Sequence, residues 1–533
     1  MPKSALMSPW WTDRNQFAER APSALGAAEL QQLATATYML GRYQESVDAW
    51  DRAHSLLLDQ GDAAGACRCL FWLMLAIGED DVSGTSRIGG QLARVQRLVE
   101  EFSLGELEQS YLLCYDCIGK FVSGRFEECV DTWARIAETG RAHADNDIWA
   151  FGAQGHGRTL IRMGLVREGA AVLDELFVSV GSGALSPMMA GWVYCSCLEA
   201  CHEGFDLPRA IEWTRSATGW ANEQGDLETY TGVCLLYRSR IRRMQGSWDD
   251  ALQDIDRACV KLSKERIHFE LGDAHYQRGE VLRLRGNHAG AAESYRVASH
   301  HGHDPQPGLA LLRLAQGKNL AAGSALRRAL GETSDRCRRA ELLPARAEVA
   351  LAEGDVGAAE VACAELEELA ESYASRLLRA EGLVLRGRIL LAEGDPRTAL
   401  EPLRTAARLW HDLEAPLAAA RTRVHVAAAC AALGDADGAE MERAAAREVF
   451  EAMGARDDLA ALGAVGQGRT PLSEREIEVV RKVAAGLSNR AVATQMQISE
   501  KTVASHLSHI FTKLNVPNRA AVTAYYYEQL ANR

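Results

Sequence analysis

Apolar residues recur at three- and four-residue intervals along most of the chain, which is the spacing of one face of an α-helix. A longer pattern lies over this period: a glycine is usually followed five residues later by a small residue, and often seven residues after that by another small or apolar residue. The copies begin at Gly41, Gly124, Gly164, Gly204, Gly246, Gly286, Gly317, Gly354, Gly394 and Gly434. No stretch alternates apolar and polar residues as a strand does, so we predict an all-α protein.

The copies follow one another at intervals of about forty residues, which predicts a stack of helical hairpins. Glycine suits the end of a helix because it takes left-handed backbone angles at little cost, and the small residue lets two helix backbones approach. One interval of 83 residues fits two units if a degraded copy lies near Ser83–Phe102, and another interval is shortened to 31 residues around Pro305. We therefore predict about eleven hairpins over residues 25–462, after an N-terminal extension of residues 1–24.

An aromatic residue often stands two places after the glycine and completes a known signature, as in Gly41-Arg42-Tyr43 and Gly246-Ser247-Trp248. In this order the glycine, the aromatic residue and the two small residues resemble a tetratricopeptide repeat. The resemblance implies a TPR-like α-solenoid whose groove binds a small-molecule or protein effector. Six tryptophans are candidates for lining that groove, although core packing is the stronger interpretation of each: Trp10, Trp11, Trp133, Trp149, Trp192 and Trp220.

The sequence contains no motif for catalysis. A phosphate-binding loop, a dinucleotide fingerprint, a nucleophile elbow and a zinc-protease motif are all missing. Cys114 with Cys117, the Cys195–Cys201 cluster and His300–His303 are candidate metal or redox sites. Helix-face spacing favours packed thiols instead, and the prolines after the histidines favour a loop. We therefore predict no enzyme activity, no catalytic residue, no cofactor and no metal.

The pattern changes in the last 64 residues. A flexible linker is predicted at residues 463–469, and residues 470–533 follow as a separate domain. Ser473 and Glu476 can form a capping box at the start of a helix that ends at Gly486. Three further helices are predicted, Asn489–Met496, Ser499–Leu514 and Asn518–Leu530. The second and third helices of the domain, joined by a tight turn, make a helix-turn-helix.

The third helix of this domain has one small, polar face. Val503 and Leu507 belong to the shared core, and no carboxylate follows Glu500 in the helix. The residues of the outer face are Lys501, Thr502, Ala504, Ser505, Ser508 and His509. A slim helix without negative charge on one face can enter the major groove of DNA, which is about 12 Å wide.

Four motifs carry a second resemblance. Leu472-Ser-x-Arg475-Glu476, Gly486-Leu-Ser-Asn-Arg490, Ile498-Ser-x-x-Thr502-Val503 and Lys513-Leu-x-Val516 with Arg519 are similar to the LuxR/NarL-type DNA-binding domain. The resemblance implies that the third helix is the recognition helix on double-stranded promoter DNA, that the fourth helix makes a homodimer contact, and that RNA polymerase is a further partner. Phosphate contacts are implied for Asn489, Arg490, Lys501, Thr502 and Lys513, and base-edge contacts for Ala504, Ser505, Ser508 and His509.

The chain departs from that family at two positions of the reading face. Many members carry lysine where this chain has Ala504, and some also carry it where this chain has Ser508. Neither residue makes the long bidentate contact to guanine that lysine or arginine makes. Base reading would then depend on Ser505, His509, methyl contacts and DNA shape.

Charge separates the two parts of the chain. The net charge is −13, but residues 470–533 contain 8 basic and 5 acidic residues, a balance of +3, which leaves −16 for the rest. This asymmetry favours DNA contact at the C-terminal end alone. We therefore predict a cytoplasmic LuxR-type transcription regulator. The alternative is a non-enzymatic interaction scaffold that uses the solenoid as a protein-docking platform. No membrane partner is predicted, since the longest apolar run is far shorter than the about twenty residues that span a bilayer.

Overall fold

The computed structural model consists of α-helices joined by short turns, and the residues that it describes include no β-strand. Those residues are 9–18, 24–78, 85–225, 227–265, 268–466, 472, 474–496, 498–514, 516 and 518–529. The predicted all-α class is confirmed. The chain divides into two compact units, Met1–Ala455 and Arg456–Arg533. Among the described helices, none combines the length and hydropathy needed to cross a membrane.

The first unit is a succession of helical hairpins, as predicted. Its N-terminal half comprises α1 (Pro9–Ala18), α2 (Ala27–Met39), α3 (Tyr43–Asp59), α4 (Ala63–Gly78), α5 (Thr85–Glu101), α6 (Glu106–Val122), α7 (Val130–Ala142), α8 (Asn146–Arg162), α9 (Val166–Gly181), α10 (Pro187–Glu203), α11 (Leu207–Glu223) and α12 (Thr231–Met244). It continues with α13 (Trp248–Glu265), α14 (His268–Leu284), α15 (His288–His300), α16 (Gly308–Ala315), α17 (Asn319–Gly331), α18 (Arg336–Glu353), α19 (Val356–Ser372), α20 (Arg376–Ala392), α21 (Pro396–Asp412), α22 (Pro416–Ala432) and α23 (Ala436–Met453).

The second unit comprises α24 (Arg456–Gly466), α25 (Glu474–Ala484), α26 (Asn489–Met496), α27 (Glu500–Leu514) and α28 (Arg519–Gln529). The flexible linker predicted at residues 463–469 is therefore helical in its first four residues. Leu462 is only 1% exposed and anchors this end of α24, so the two glycines that follow continue the helix. Residues 467–469 lie outside the described residues.

Most of the described turns between helices depend on a residue that reverses the chain in the left-handed backbone conformation. Nine of the ten glycines that mark the repeat have φ between 68° and 88°, as expected of a residue without a Cβ. Gly204 is the exception, with φ of −88°, and Phe205, with φ of 51°, makes the turn instead. The assignment of Gly204 to this role was wrong because that copy is one residue longer, which moves the reversal past the glycine.

The alternate turns of the solenoid often lack glycine. Four of them place Ser103, Ala144, Ala374 and Glu414 at φ between 48° and 55°. In the forty-residue unit, one turn is therefore marked in the sequence by a glycine, and the other turn often carries no glycine to mark it. A residue with a Cβ costs roughly 1–2 kcal/mol in this conformation.

Replacing Ala374 with glycine should stabilise the solenoid by about 1 kcal/mol, because the left-handed backbone no longer strains a Cβ. Ala374 is exposed, so the change removes no packing. The matched control is Ala364→Gly, at an exposed position in the middle of α19, which should destabilise by about 1 kcal/mol. Urea unfolding of the full chain measures both variants, and a loss of stability in Ala374→Gly would contradict the strain argument.

Small residues form the seams between helices, as the repeat predicts. The following are at most 3% exposed: Ser46, Ala53, Cys129, Ala210, Ala217, Ala251, Ala258, Ala291, Ala298, Ala322, Ala359, Ala399, Ala406 and Ala439. The contact between α7 and α8 is the tightest example, since a Cβ built on Gly152 would lie 2.4 Å from the backbone nitrogen of Ala137. Glycine is required at that crossing because backbone meets backbone.

The two irregular intervals of the repeat have simple structural causes. In the 83-residue interval, α5 occupies the place of the degraded copy that the sequence predicts near Ser83–Phe102. In the 31-residue interval, α16 has only eight residues. The loop predicted at Pro305 precedes this short helix.

The predicted N-terminal extension includes a packed helix. Trp10 and Phe17 of α1 are 8% and 4% exposed and belong to the hydrophobic cluster of the first hairpins. The other tryptophan candidates, Trp11, Trp133, Trp149, Trp192 and Trp220, lie in that same cluster or against it. Core packing therefore accounts for Trp10, Trp133 and Trp149, which are buried, and for part of the surface of the other three, which are half-buried.

The candidate pair of Cys114 and Cys117 is buried. Burial raises the pKa of Cys117 to about 12 and the pKa of Cys114 well above its usual value. Both thiols therefore stay protonated at neutral pH, as packed cysteines do, whereas a redox nucleophile is a thiolate. The packing interpretation of this CxxC is supported.

Alternate helices of the solenoid pack against one another. The even-numbered helices from α4 to α22, which we call the inner layer, form a series in which each contacts the next member of the series. Contacts also join hairpins that are far apart in sequence. The amide of Glu228 donates to the carbonyl of Met39 at 3.1 Å, the hydroxyl of Ser375 donates to the carbonyl of Phe205 at 2.8 Å, and Gln245 donates to Glu414 at 2.8 Å. We call these three the long-range bonds.

Candidate nucleic-acid interface

The C-terminal helices begin and end close to the predicted residues. The helix predicted at Asn489–Met496 is observed with those bounds, α27 ends at Leu514 as predicted, and α28 begins one residue after the predicted Asn518. Gly486, with φ of 81°, lies in the turn that follows α25. The proposed cap Ser473 and the last residue of the predicted fourth helix, Leu530, lie outside the described residues.

A single small core holds the helices of this domain together. Val480, Val492, Val503, Leu507 and Val522 are at most 5% exposed and come from all four helices. Ala493, 6% exposed, lies in the last turn of α26, and its carbonyl accepts from the amide of Ile498, beyond the end of the helix, at 3.1 Å. This core fixes the orientation of α27.

Serine side chains begin the two helices of the helix-turn-helix. The hydroxyl of Ser488 accepts from the amide of Ala491 at 3.3 Å, and the hydroxyl of Ser499 accepts from the amide of Thr502 at 3.0 Å. The Thr502 hydroxyl lies 2.7 Å from that of Ser499. Thr502 is therefore part of the cap of the recognition helix as well as a predicted phosphate contact.

The predicted reading face of α27 is exposed. Lys501, Thr502, Ala504, Ser505, Ser508 and His509 are all exposed, whereas Val503, Leu507 and Ile510 on the opposite side are buried. The first residues of α26 supply the neighbouring surface, where Arg490 is exposed and Asn489 is half-buried. These eight polar or small residues thus lie at the exposed side of one helix and the start of the helix before it.

Lys513, the last predicted phosphate contact, is held by an acidic residue. Its Nζ donates to Glu476 Oε2 at 2.8 Å, and the Glu476 side chain is only 6% exposed while that of Lys513 is 43% exposed. The bond joins α25 to the end of α27. Lys513 therefore stabilises the domain, and part of its charge is neutralised before any phosphate approaches.

Two arginines anchor the helix-turn-helix from outside it. Arg519 of α28 donates to Asn489 Oδ1 at 2.8 Å and also to the carbonyl of Leu487. Arg475 of α25 donates to the carbonyl of Met496 at 3.2 Å. Both residues stand in the motifs of the sequence, but their spacing gives no sign of these partners. Asn489 is consequently oriented by a side chain thirty residues away.

Comparison with known proteins identifies this domain. Residues 470–526 match the family described as bacterial regulatory proteins, luxR family. A nitrate/nitrite response regulator protein homolog of Haemophilus influenzae is 47% identical over 58 residues, which are 11% of this chain and 28% of that protein. A probable HTH-type transcriptional regulator, GfsR of Streptomyces halstedii, is 47% identical over 49 residues, 9% of this chain and 20% of that protein. The chain thus spans only about a quarter of the length of the first of these curated relatives.

Two solved structures resemble the chain at low sequence identity. A Rap protein complexed with competence and sporulation factor covers 72% of this chain with a TM-score of 0.33 and 12% identity, and 97% of that protein is covered. The Cut9-Hcn1 hetero-tetramer covers 85% of this chain and 99% of the matched chain, with a TM-score of 0.36 and 11% identity.

Proposed function

We propose, from the luxR-family domain at residues 470–526, that the chain is a transcriptional regulator that binds double-stranded promoter DNA. The observation that carries the proposal is the exposed face of α27, which has no carboxylate after Glu500 and is backed by a buried core. The solenoid of this regulator binds a small-molecule or protein effector in the cytoplasm.

In the proposed complex, α27 lies in the major groove. The contacts to phosphate come from Asn489, Arg490, Lys501, Thr502 and Lys513, and those to base edges come from Ala504, Ser505, Ser508 and His509. The amide groups at the start of α26 and α27 add favourable dipoles for phosphate. Because Ala504 and Ser508 are short, direct readout falls mainly to Ser505 and His509, and DNA shape supplies the rest.

The proposal includes a homodimer on DNA. Tyr527 of α28 is 58% exposed, which is a large aromatic surface for pairing with a second copy. Two copies would occupy half-sites about one helical turn apart, roughly 34–36 Å. On promoter DNA this dimer would contact RNA polymerase.

Genome-wide mapping of the DNA bound by the full-length protein tests the proposal, followed by titration of one recovered site at several salt concentrations. We expect discrete sites with paired half-sites, and binding that weakens steeply with salt because counterions are released from phosphate. If the full chain ignores duplex DNA at low salt, the regulator proposal fails, and the interaction scaffold becomes the better account.

Lys501→Ala should weaken binding to all DNA sequences alike and reduce the slope of log affinity against log salt by about one unit, since one phosphate contact is lost. Fluorescence anisotropy with a specific and an unrelated duplex measures the effect. Lys318→Ala, the same change at an exposed position of the solenoid, serves as the control and should leave both affinities unchanged. A selective loss on the specific duplex would instead assign Lys501 to base reading.

Ser505→Ala should change the preference between sites and leave the salt slope as it is, because a hydroxyl that contacts a base edge carries no charge. Competition among a library of duplexes measures the preference, and each lost base contact should alter it by roughly 1–3 kcal/mol at one position. The control is Ser324→Ala, an exposed serine of the solenoid. An unchanged site profile would remove Ser505 from the readout.

A further inference from the structure

The helix-turn-helix begins at a side chain that α28 holds in place. Arg519, the first residue of α28, donates to Asn489 Oδ1 at 2.8 Å and to the backbone carbonyl of Leu487. These two acceptors flank Ser488, whose hydroxyl caps α26. We call this pair of bonds the Arg519 bridge. It connects the start of α26 to a helix that begins thirty residues further along the chain.

The chemistry of the Arg519 bridge fixes which way the Asn489 amide points. A guanidinium has N–H donors and no acceptor, so it bonds to the oxygen of the amide and not to the nitrogen. The nitrogen, Nδ2, therefore points the other way, and no described residue accepts a hydrogen bond from it. Asn489 is half-buried. The bridge thus leaves a hydrogen-bond donor of fixed direction at the start of α26.

A phosphate requires the donor that the bridge leaves. In the proposed complex Asn489 contacts the DNA backbone, and an ionised phosphate oxygen only accepts hydrogen bonds, so the contact must use Nδ2. Without Arg519 the amide would be free to turn over and present Oδ1, which a phosphate repels. A group that is already held in its bound orientation loses less conformational freedom when it binds.

A second arginine of the domain provides a comparison. Arg475 donates to the carbonyl of Met496 at 3.2 Å and pairs with Glu478 at 2.9 Å. It therefore holds the end of α26, and among the described residues it makes no bond to a predicted phosphate contact. Arg519 bonds instead to a predicted contact. The domain thus offers two arginines that both stabilise α26 but differ in what they touch.

We propose that Arg519 is a positioning residue for DNA binding, which holds the Asn489 amide so that Nδ2 faces a phosphate oxygen. The inference rests on the proposed function and gives α28 a part in the DNA contact of α26, because the arginine that orients Asn489 belongs to α28. The effect of Arg519 on DNA passes through Asn489, so the two residues must be coupled in binding.

A double-mutant cycle on the full chain tests this inference, with binding to one duplex measured by fluorescence anisotropy. Asn489→Ala deletes the phosphate contact and should weaken binding by about tenfold. Arg519→Met should weaken it by roughly two- to tenfold, because the amide loses its orientation. The double variant should bind at most about twofold more weakly than Asn489→Ala, since nothing is left to orient. Losses that multiply, or no loss in Arg519→Met, would overturn the inference.

Arg475→Met is the matched control in the same cycle. Because Arg475 does not touch Asn489, any loss that it causes by loosening the fold should multiply with the loss in Asn489→Ala. Coupling of equal size for both arginines would show that Arg519 acts only through the stability of the domain, and the positioning role would be refuted.

Asn489→Asp tests the donor while keeping the bridge. A carboxylate accepts from Arg519 more strongly than an amide does, so the unfolding temperature should stay the same or rise. Binding to DNA should nevertheless fall at least about tenfold, because an acceptor replaces Nδ2. If Asn489→Asp binds duplex DNA as well as the parent chain does, no donor is needed at this position and the inference fails.

The parent chain in these titrations separates the inference from the proposed function. If the parent ignores duplex DNA at low salt, the regulator proposal fails and the inference that rests on it fails too. If the parent binds DNA but the losses of Arg519→Met and Asn489→Ala multiply, the regulator proposal stands and only the positioning role is overturned.

Discussion

Gly152→Ala should destabilise the solenoid by about 2–3 kcal/mol, although alanine is the better helix former. Gly152 lies where α8 crosses α7, and a Cβ there would stand 2.4 Å from the backbone nitrogen and 2.9 Å from the Cα of Ala137. Gly140 of α7 meets the backbone of Trp149 in the same way, at 2.2 Å. Since the opposing atoms are backbone, no side-chain rotation relieves the overlap, and the two helices must move apart.

Gly219→Ala is the matched control, because this glycine lies inside α11 with nothing within 4 Å of the position of a Cβ. It should stabilise the protein by roughly 0.5–1 kcal/mol through helix propensity alone. Denaturant unfolding of both variants and the parent chain gives the comparison. A Gly152→Ala variant that is as stable as the parent chain, or more stable, would show that the α7–α8 crossing is looser than this geometry requires.

Glu203→Gln should destabilise the fold by about 3 kcal/mol, because it removes the charge that two nearly buried arginines share. Glu203 accepts from Arg158 at 3.0 Å and from Arg162 at 2.9 Å, and these three side chains are 11%, 14% and 19% exposed. Burial alone would raise the pKa of Glu203, but the two guanidinium groups outweigh it and hold the pKa below its usual value. Glutamine keeps the shape of the side chain and leaves both cations under-compensated.

The direction of that pKa shift gives the pH dependence. A folded-state pKa below the unfolded value means that the carboxylate stabilises the fold above its ordinary pKa of about 4.3, and that this stabilisation is lost as the pH falls through the lower folded value. The difference in the free energy of unfolding between the parent and Glu203→Gln should therefore be full at pH 7 and shrink below pH 4. Glu293→Gln, which breaks an exposed pair with Arg296, should leave the unfolding midpoint unchanged at either pH. A difference that grows in acid would contradict the assignment.

The turns show how far the sequence predicts the solenoid. Glycine at a helix end announces a left-handed residue, so the repeat period and most marked turns could be predicted. Ala374 and Glu414 adopt the same backbone angles with a Cβ, and nothing in residue type announces them; they are held there by the packing of the helices on both sides. Phe205 shows the same limit, since one inserted residue moved the turn from the glycine to its neighbour.

In the DNA-binding domain, local signals predicted the helices and the reading face but not the bonds that fix them. The spacing of apolar residues along a single helix places Val503 and Leu507 on its buried face and Ser505 and His509 on its exposed face. The bonds of Glu476 with Lys513 and of Asn489 with Arg519 join residues 37 and 30 positions apart. Such pairs depend on how helices cross, which a one-dimensional pattern does not contain. The contact roles of the reading face remain predictions for the experiments above.

The long-range bonds restrict how the number of hairpins can change. In a repeat array whose units touch only their neighbours, a unit can be gained or lost with little effect on the others. Here Met39, Phe205 and Gln245 each bond to a residue between 169 and 189 positions away. Deleting or duplicating one forty-residue hairpin between such partners would shift them out of register. These bonds between distant hairpins therefore constrain the length of the solenoid. We expect its sequence to diverge by substitution within hairpins while the number of hairpins stays the same.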